Sequence, residues 1–227
     1  MTTASCNVGN ARVFEAREAF LGSISGNHMQ LRSSQASPFG RKVKIAAHFL
    51  GLIDQITIVP ADTNDPSDSL RRQAPLGKIP ALILDDGTVL YDSRVILDYL
   101  DYLAGGGRIL PAGPTRFDAL TRQALADGIM DAALLQVYEG RLREPEHRSA
   151  RWLELQAGKV SRGLAAFESR AGAFEPGLDV GTIGLACALG YLDLRFTGTW
   201  RQDHPRLVAW LQAFDAEVPS FGQTRPS

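Results

Sequence analysis

The sequence predicts a small α/β domain with a mixed four-stranded sheet, followed by an all-helical domain. Strand and helix patterns alternate over residues 29–107, a segment rich in Pro and Gly follows at 108–115, and no strand pattern occurs in 116–227. Such alternation is typical of a sheet covered by helices, whereas sustained helical periodicity indicates a helical bundle. With 227 residues, the chain is long enough to give each domain its own core.

Residues 1–28 do not fit the alternating pattern and are predicted to form an extension that precedes the first domain. Apolar residues within 13–24 have the spacing of a short amphipathic helix. The extension lacks the basic and apolar regions of a secretory signal. The pattern leaves open whether it is a native docking helix or a leader ahead of a domain that begins at Met29.

The first domain is predicted to run β-α-β-α-β-β-α. Its strands are expected at 29–32, 55–59, 81–84 and 88–91, and its helices at 38–50, 67–73 and 93–103. Ser37 is placed as the N-cap of the first helix, with Pro38 at the first helical position, where the missing N–H of proline costs nothing. Asp85-Asp86-Gly87 supplies the turn of the final hairpin.

The second domain is predicted to contain four helices. They are expected at 117–138, 148–171, 182–194 and 205–217. Asp179 and Thr182 stand at the start of the third of these helices, with the acid ahead of the hydroxyl. This order predicts a reversed capping box, in which Asp179 accepts backbone amides and Thr182 reaches back to the cap.

Charge and cysteine content exclude several classes of function. The 24 basic and 25 acidic residues give a net charge of −1, so no surface for nucleic acid or an anionic membrane is indicated. No apolar stretch approaches the roughly 20 residues that span a bilayer. Cys6 and Cys187 are too few for a disulfide framework and suit a reducing compartment. Cys187 lies in an apolar run and is predicted to be buried.

Two short motifs predict a binding site for a small anionic peptide. Pro80 interrupts what otherwise resembles the start of a strand, which a cis Ile79–Pro80 bond would explain. Such a bond turns the backbone of Ile79 outward, where its N–H and C=O can pair with a ligand's peptide groups. Asp92 and Ser93 begin the next helix and offer a hydroxyl and free amides to an anion.

Four segments, in this order along the chain, resemble the glutathione S-transferase superfamily, in particular bacterial members with serine at the start of the first helix. The segments are 37–39, 74–82, 91–96 and 204–221. The resemblance covers about residues 29–220. It implies a thioredoxin-like first domain, a helical second domain, glutathione as co-substrate without a metal, a homodimer and a cytoplasmic location.

The resemblance also implies which residues bind glutathione. They are Lys78, Ile79, Pro80, Asp92 and Ser93. The backbone of Ile79 would pair with the cysteinyl residue, and Asp92 and Ser93 would take the ammonium and the carboxylate of the γ-glutamyl group. Lys78 would pair with the glycyl carboxylate or else be a solvated surface charge. Arg94 is left open between assisting at the anion and a surface role.

Ser37 is the candidate catalytic residue, because the thiolate of glutathione is the nucleophile. Its hydroxyl can donate to the sulfur, and the positive end of the first helix faces the same point. An ordinary N-cap is the alternative, and Ser34 is the rival hydroxyl in the same loop. Neither Cys6 nor Cys187 is expected near this helix start, which favours conjugation over thiol–disulfide exchange.

The predicted function is attack by the glutathione thiolate on a small apolar electrophile. Phe39, Tyr138 and Trp152 are candidates for the acceptor pocket, with ordinary core packing as the alternative. Asp127 and Asp131 share one helix face, which could approach the ligand or be solvated, and the solvated face is the preferred interpretation. A non-catalytic glutathione-binding or regulatory module, and glutathione-dependent peroxidase or dehalogenase activity, remain alternatives.

No metal site is predicted. The four histidines stand far apart and lack carboxylate or Cys partners at ligand spacing. They are His28, His48, His147 and His204.

Overall fold

The computed structural model describes residues 28–171 and 177–226. The predicted extension lies outside the described residues except for His28, and so do Cys6 and the helix expected within 13–24. The N–H of His28 donates to the Asp85 carboxylate at 2.8 Å, which joins the first strand to the hairpin turn.

The first domain is built around a four-stranded mixed sheet in the order β2-β1-β3-β4. The strands are β1 (Met29–Ser33), β2 (Ile56–Pro60), β3 (Ala81–Ile83) and β4 (Val89–Leu90). Leu31 of β1 stands opposite Ile58 in a parallel pair and opposite Leu82 in an antiparallel pair. The parallel pair requires a crossover, which the first helix supplies. The predicted fold class is therefore confirmed.

Helices cover this sheet and make up the second domain. They are α1 (Pro38–Phe49), α2 (Leu70–Gln73), α3 (Ser93–Leu103), α4 (Thr115–Leu142), α5 (Ala150–Arg170), α6 (Val180–Phe196), α7 (Pro205–Glu217) and α8 (Pro219–Gln223). The helix α8 has no counterpart in the sequence-based prediction, because five residues are too few for a helical period to show. No described helix combines the length and apolarity needed to cross a membrane.

The helix α1 lies at the centre of the molecule and packs against α3, α4, α6 and α8. Ser37 caps it as predicted, because its hydroxyl accepts the N–H of Gly40 at 3.1 Å. A Cβ on Gly40 would lie 2.0 Å from the Ser33 hydroxyl. Only glycine at this position lets the first turn of α1 approach the end of β1 so closely.

The helix α6 begins with the reversed capping box that the sequence predicts. Asp179 accepts the N–H groups of Gly181 and Thr182 at 2.8 and 2.9 Å, and the Thr182 hydroxyl accepts the N–H of Asp179 at 2.9 Å. Farther along α6, Cys187 is fully buried, also as predicted. Burial raises the pKa of its thiol to about 11, so the sulfur stays protonated at neutral pH.

The loop between β2 and α2 is tied to the sheet by Arg32, which is 4% exposed. Its guanidinium donates to the Asp68 carboxylate at 2.6 Å and to the Ser69 hydroxyl at 2.7 Å. Asp68 in turn accepts the N–H of Leu70 at 2.7 Å, so the chain makes a turn at this point and α2 begins at Leu70 rather than at the predicted residue 67.

Asp68→Asn is expected to lower thermal stability near neutral pH and to lose its effect in acid. Hydrogen bonds from the N–H groups of Leu70 and Asp62, followed by the Arg32 guanidinium, lower the pKa of Asp68 to about 2. The stabilisation is therefore complete above about pH 4, the ordinary pKa of aspartate, and is lost as the pH falls towards about 2. The difference in melting temperature between the parent and Asp68→Asn, measured at pH 7 and from pH 4 to about pH 2, tests this expectation.

Asp54→Asn is the matched control. Asp54 is exposed and lies just before β2, whereas Asp68 lies in the loop that follows β2. The control is expected to melt with the parent at every pH. If the difference in melting temperature between Asp68→Asn and the parent stays constant down to about pH 2, the ionised Asp68 carboxylate is not the source of the stabilisation.

Candidate functional site

The Ile79–Pro80 peptide bond is cis, as the sequence predicts. Ile79 is half-buried just ahead of β3, and Lys78 beside it is exposed. In the described part of the chain, neither the N–H nor the C=O of Ile79 takes part in a hydrogen bond. One donor and one acceptor of the main chain are thus available to an extended ligand at this point.

Asp92 and Ser93 lie at the start of α3. The Asp92 carboxylate caps the helix by accepting the N–H of Arg94 at 3.0 Å, and it also pairs with the Arg94 guanidinium at 2.8 Å. The side chains of Asp92 and Arg94 are both more than half exposed. The hydrogen bond from Arg94 lowers the pKa of the Asp92 carboxyl, so Asp92 is an anion at neutral pH.

Ser93 is buried, and its hydroxyl accepts a hydrogen bond from the Lys42 ammonium at 3.2 Å. The same ammonium donates to the Asp127 carboxylate at 2.5 Å. The side chain of Lys42 is fully buried. This cluster, Lys42–Ser93–Asp127, joins α1, α3 and α4, and therefore joins the first domain to the second.

The interpretation of Asp127 as part of a solvated face is wrong, because the residue is only 7% exposed. Helical periodicity places Asp127 and Asp131 on one face, and Asp131 is indeed exposed. Asp127 instead lies beneath that surface as the counter-ion of Lys42. Burial raises the pKa of the Asp127 carboxyl, and the attraction of the Lys42 ammonium opposes the rise.

Ser37 and Ser34 are both half-buried at the start of α1. Since the Ser37 oxygen accepts the N–H of Gly40, its own hydrogen remains free to donate to a ligand. The carbonyl of Ser34 accepts the N–H of Ser37 at 3.4 Å, so the rival hydroxyl belongs to the same turn. The positive end of α1 faces this turn.

Cys187 lies closer to the start of α1 than the sequence indicates. It shares the wall of a small cavity, about 10 Å³, with Ser37 and Arg41.

The Arg41 guanidinium, 3% exposed, donates to the carbonyl of Phe221 at 2.6 Å and lies 4.0 Å from the centre of the Phe221 ring. Arg41 thereby fastens α8 to α1 one turn beyond Ser37.

The three aromatic candidates for an acceptor pocket lie on three different helices. Phe39 on α1 and Tyr138 on α4 are half-buried, whereas Trp152 in the first turn of α5 is 39% exposed. The three rings are not in contact with one another in the described structure. A pocket formed by all three stays a prediction.

Sequence reasoning missed Lys42, Arg41 and the role of Asp127. A signal was present, because Arg41 and Lys42 precede a stretch, 43–47, that is apolar except for Lys44, and a largely apolar helix is typically buried. Basic groups in a buried helix need buried partners. Over residues 28–171 and 177–226, no three His, Cys, Asp or Glu side chains come together as metal ligands would.

Comparisons with known proteins connect this geometry to one family. A family model for the glutathione S-transferase N-terminal domain matches residues 36–103, and one for the C-terminal domain matches residues 150–213. An Escherichia coli K12 protein, described as the uncharacterized GST-like protein YibF, is 33% identical over 205 residues. The match covers 87% of this chain and 98% of that protein.

Solved structures agree. A glutathione transferase family member from Pseudomonas fluorescens Pf-5, with bound glutathione, is 43% identical with a TM-score of 0.80 and covers 88% of this chain and 99% of its own. The same target with bound S-(propanoic acid)-glutathione is 44% identical with a TM-score of 0.78, over the same shares. A glutathione S-transferase from Methylobacillus flagellatus KT, with glutathione bound, is 35% identical with a TM-score of 0.81 and covers 88% and 100%.

Asp127→Asn is expected to lower the free energy of unfolding by about 3–5 kcal/mol, because it leaves the buried Lys42 ammonium without its counter-ion. Urea unfolding at neutral pH measures the change. Asp131→Asn, one turn along the same face, is the control and is expected to stay within about 0.5 kcal/mol of the parent. Equal losses of unfolding free energy in the two variants would show that the buried Lys42–Asp127 pair contributes no more to stability than an exposed carboxylate does.

Proposed function

The chain belongs to the glutathione S-transferase family, and on that premise we propose that it joins the sulfur of glutathione to a small apolar electrophile. The observation that carries the proposal is the unpaired backbone of Ile79 at the cis peptide bond, close in the chain to the start of α3. An extended tripeptide with a carboxylate at one end needs a free backbone edge and a helix N-terminus.

Glutathione would lie along the edge of the first domain. Its cysteinyl peptide group would pair with the N–H and C=O of Ile79, beside Pro80. The α-carboxylate of its γ-glutamyl group would meet Ser93 and the first amides of α3, while Asp92 would attract the α-ammonium. Lys78, which is exposed, would attract the glycyl carboxylate.

Ser37 would stabilise the thiolate. A free thiol has a pKa near 8.5, so each unit of lowering requires about 1.4 kcal/mol of preferential binding of the thiolate. The free hydrogen of the Ser37 hydroxyl and the positive end of α1 both favour the charged sulfur. The sulfur then attacks the electrophile, the bond to the leaving group breaks, and the leaving group departs with its electron pair.

The bound molecules in the relatives support this assignment. Glutathione is bound in relatives that are 43% and 35% identical. S-(propanoic acid)-glutathione, whose sulfur carries a substituent, is bound in the Pseudomonas fluorescens relative. A site that accommodates such a ligand suits conjugation at sulfur. A homodimer, a cytoplasmic location and a role in detoxification belong to the same proposal as family expectations.

A binding assay combined with a turnover assay separates an enzyme from a non-catalytic module. The full chain is expected to be retained on immobilised glutathione, to elute with free glutathione, and to convert a chromogenic aryl halide. Boiled protein and a column without glutathione are the controls. Retention without turnover on a panel of aryl halides, alkyl halides and peroxides would favour the binding module and contradict the enzyme.

Ser37→Gly is expected to lower kcat by about tenfold to a hundredfold, the cost of one hydrogen bond to a charged sulfur. The KM for glutathione should stay within about threefold, because the other contacts of the tripeptide remain. Glycine is chosen because it preserves the N-cap within a few tenths of a kcal/mol, whereas alanine would also weaken α1. Steady-state kinetics over a range of glutathione concentrations measures both constants.

Ser34→Ala is the matched comparison in the same loop. We expect its kcat to equal that of the parent. The reverse pattern, an unchanged rate in Ser37→Gly and a reduced one in Ser34→Ala, would move the sulfur contact to Ser34.

A further inference from the structure

We propose that Lys42 is a positioning residue for the ligand carboxylate: its buried ammonium orients the Ser93 hydroxyl as a donor, so that the site selects ligands with a carboxylate at the start of α3. The inference rests on the proposed function and deepens it, because it names the part of glutathione that this cluster distinguishes. Lys42 itself would not touch the ligand.

The first observation is the burial of Lys42. A lysine ammonium is rarely taken fully out of water, because its desolvation is costly unless it is paired and hydrogen-bonded. Here the side chain has no exposed surface. Asp127 neutralises the charge, yet the ammonium also contacts Ser93, a residue that charge balance does not require.

The second observation is the unused hydrogen of the Ser93 hydroxyl. Lysine can only donate, so the Ser93 oxygen accepts from Lys42 and its own hydrogen must point elsewhere. In the described residues that hydrogen has no acceptor, although Ser93 is only 2% exposed. A buried donor without an acceptor is costly, and a ligand oxygen at the start of α3 would satisfy it.

The third observation is the place of Ser93 in the fold. It is the first residue of α3, where backbone N–H groups lack acceptors within the helix. Asp92 already accepts the N–H of Arg94, so the oriented hydroxyl and the N–H groups of Ser93 and Val95 offer their hydrogens at the same helix end. An acceptor with two oxygens, a carboxylate, fits this set better than an amide or a hydroxyl does.

The test compares two ligands that differ only in that carboxylate. Glutathione carries it on the γ-glutamyl group, and γ-aminobutyryl-cysteinyl-glycine lacks it while keeping the rest of the tripeptide. Calorimetric titration gives the dissociation constant of each ligand for the parent, and the parent is expected to prefer glutathione.

Lys42→Met removes the ammonium and keeps a side chain of similar length. Glutathione is expected to bind about tenfold more weakly or worse, the loss of one charge-assisted hydrogen bond, whereas the affinity for the analogue stays within about twofold. Ser93→Ala should also remove the preference for glutathione. The variant Lys42→Met/Ser93→Ala should bind glutathione little more weakly than either single variant, because the two residues act through one contact.

Two further variants control for damage to the fold. Lys44→Met makes the same change two residues along α1, at a buried lysine about 200° around the helix, and should leave the preference unchanged. Lys42→Met/Asp127→Leu replaces both members of the buried pair, so no uncompensated carboxylate remains if the single variant fails to fold. The double variant should show the same loss of preference.

Two outcomes overturn the inference alone. An unchanged preference in a folded Lys42 variant would show that Lys42 does not act on the carboxylate. Equal weakening of both ligands would show that it only holds the helices together. Failure of the parent to bind either ligand would overturn the proposed function and the inference with it.

Discussion

One buried charge pair, Lys42 with Asp127, links the two domains at the candidate site. The pair does not by itself explain the stability of the fold. Replacing a buried ion pair with apolar residues of similar volume often leaves the free energy of unfolding unchanged or raises it. The Lys42 ammonium is 2.5 Å from the Asp127 carboxylate, on α4 of the second domain, and 3.2 Å from the hydroxyl of Ser93, the first residue of α3. The arrangement therefore fixes α3 relative to α1 and α4, and a shift of any one helix would leave a charge or a hydroxyl unpaired.

The same turn of α1 carries the other contacts of the site. Gly40 brings the helix against Ser33 at the end of β1, Arg41 fastens α8, and Lys42 reaches α3 and α4. Ser37 stands at the start of this turn and caps it. The position of its hydroxyl relative to the start of α3 thus follows from packing around a single helical turn, which is how a fold holds a functional group rigidly.

Local signals in the sequence predicted the features that depend on local chemistry. The cis Ile79–Pro80 bond, the Ser37 cap and the reversed capping box at Asp179 all follow from neighbouring residues. The pair of Lys42 and Asp127 could not be predicted in this way, because 85 positions separate the two residues. Periodicity correctly grouped Asp127 with Asp131 on one face but carried no information about what covers that face. The predicted acceptor pocket has the same difficulty, since its three candidate residues lie on separate helices.

The environment of Cys187 bears on which thiol reacts. It lines the same small cavity as Ser37, so the two side chains lie near each other in the fold. However, burial raises the pKa of its thiol to about 11, which leaves on the order of one molecule in ten thousand as thiolate at pH 7. A ligand thiol at the start of α1 would experience the opposite influence, from a helix N-terminus and a hydroxyl with a free hydrogen. The fold therefore suppresses the protein's own thiolate beside the place where it would stabilise that of the ligand, which supports conjugation rather than exchange.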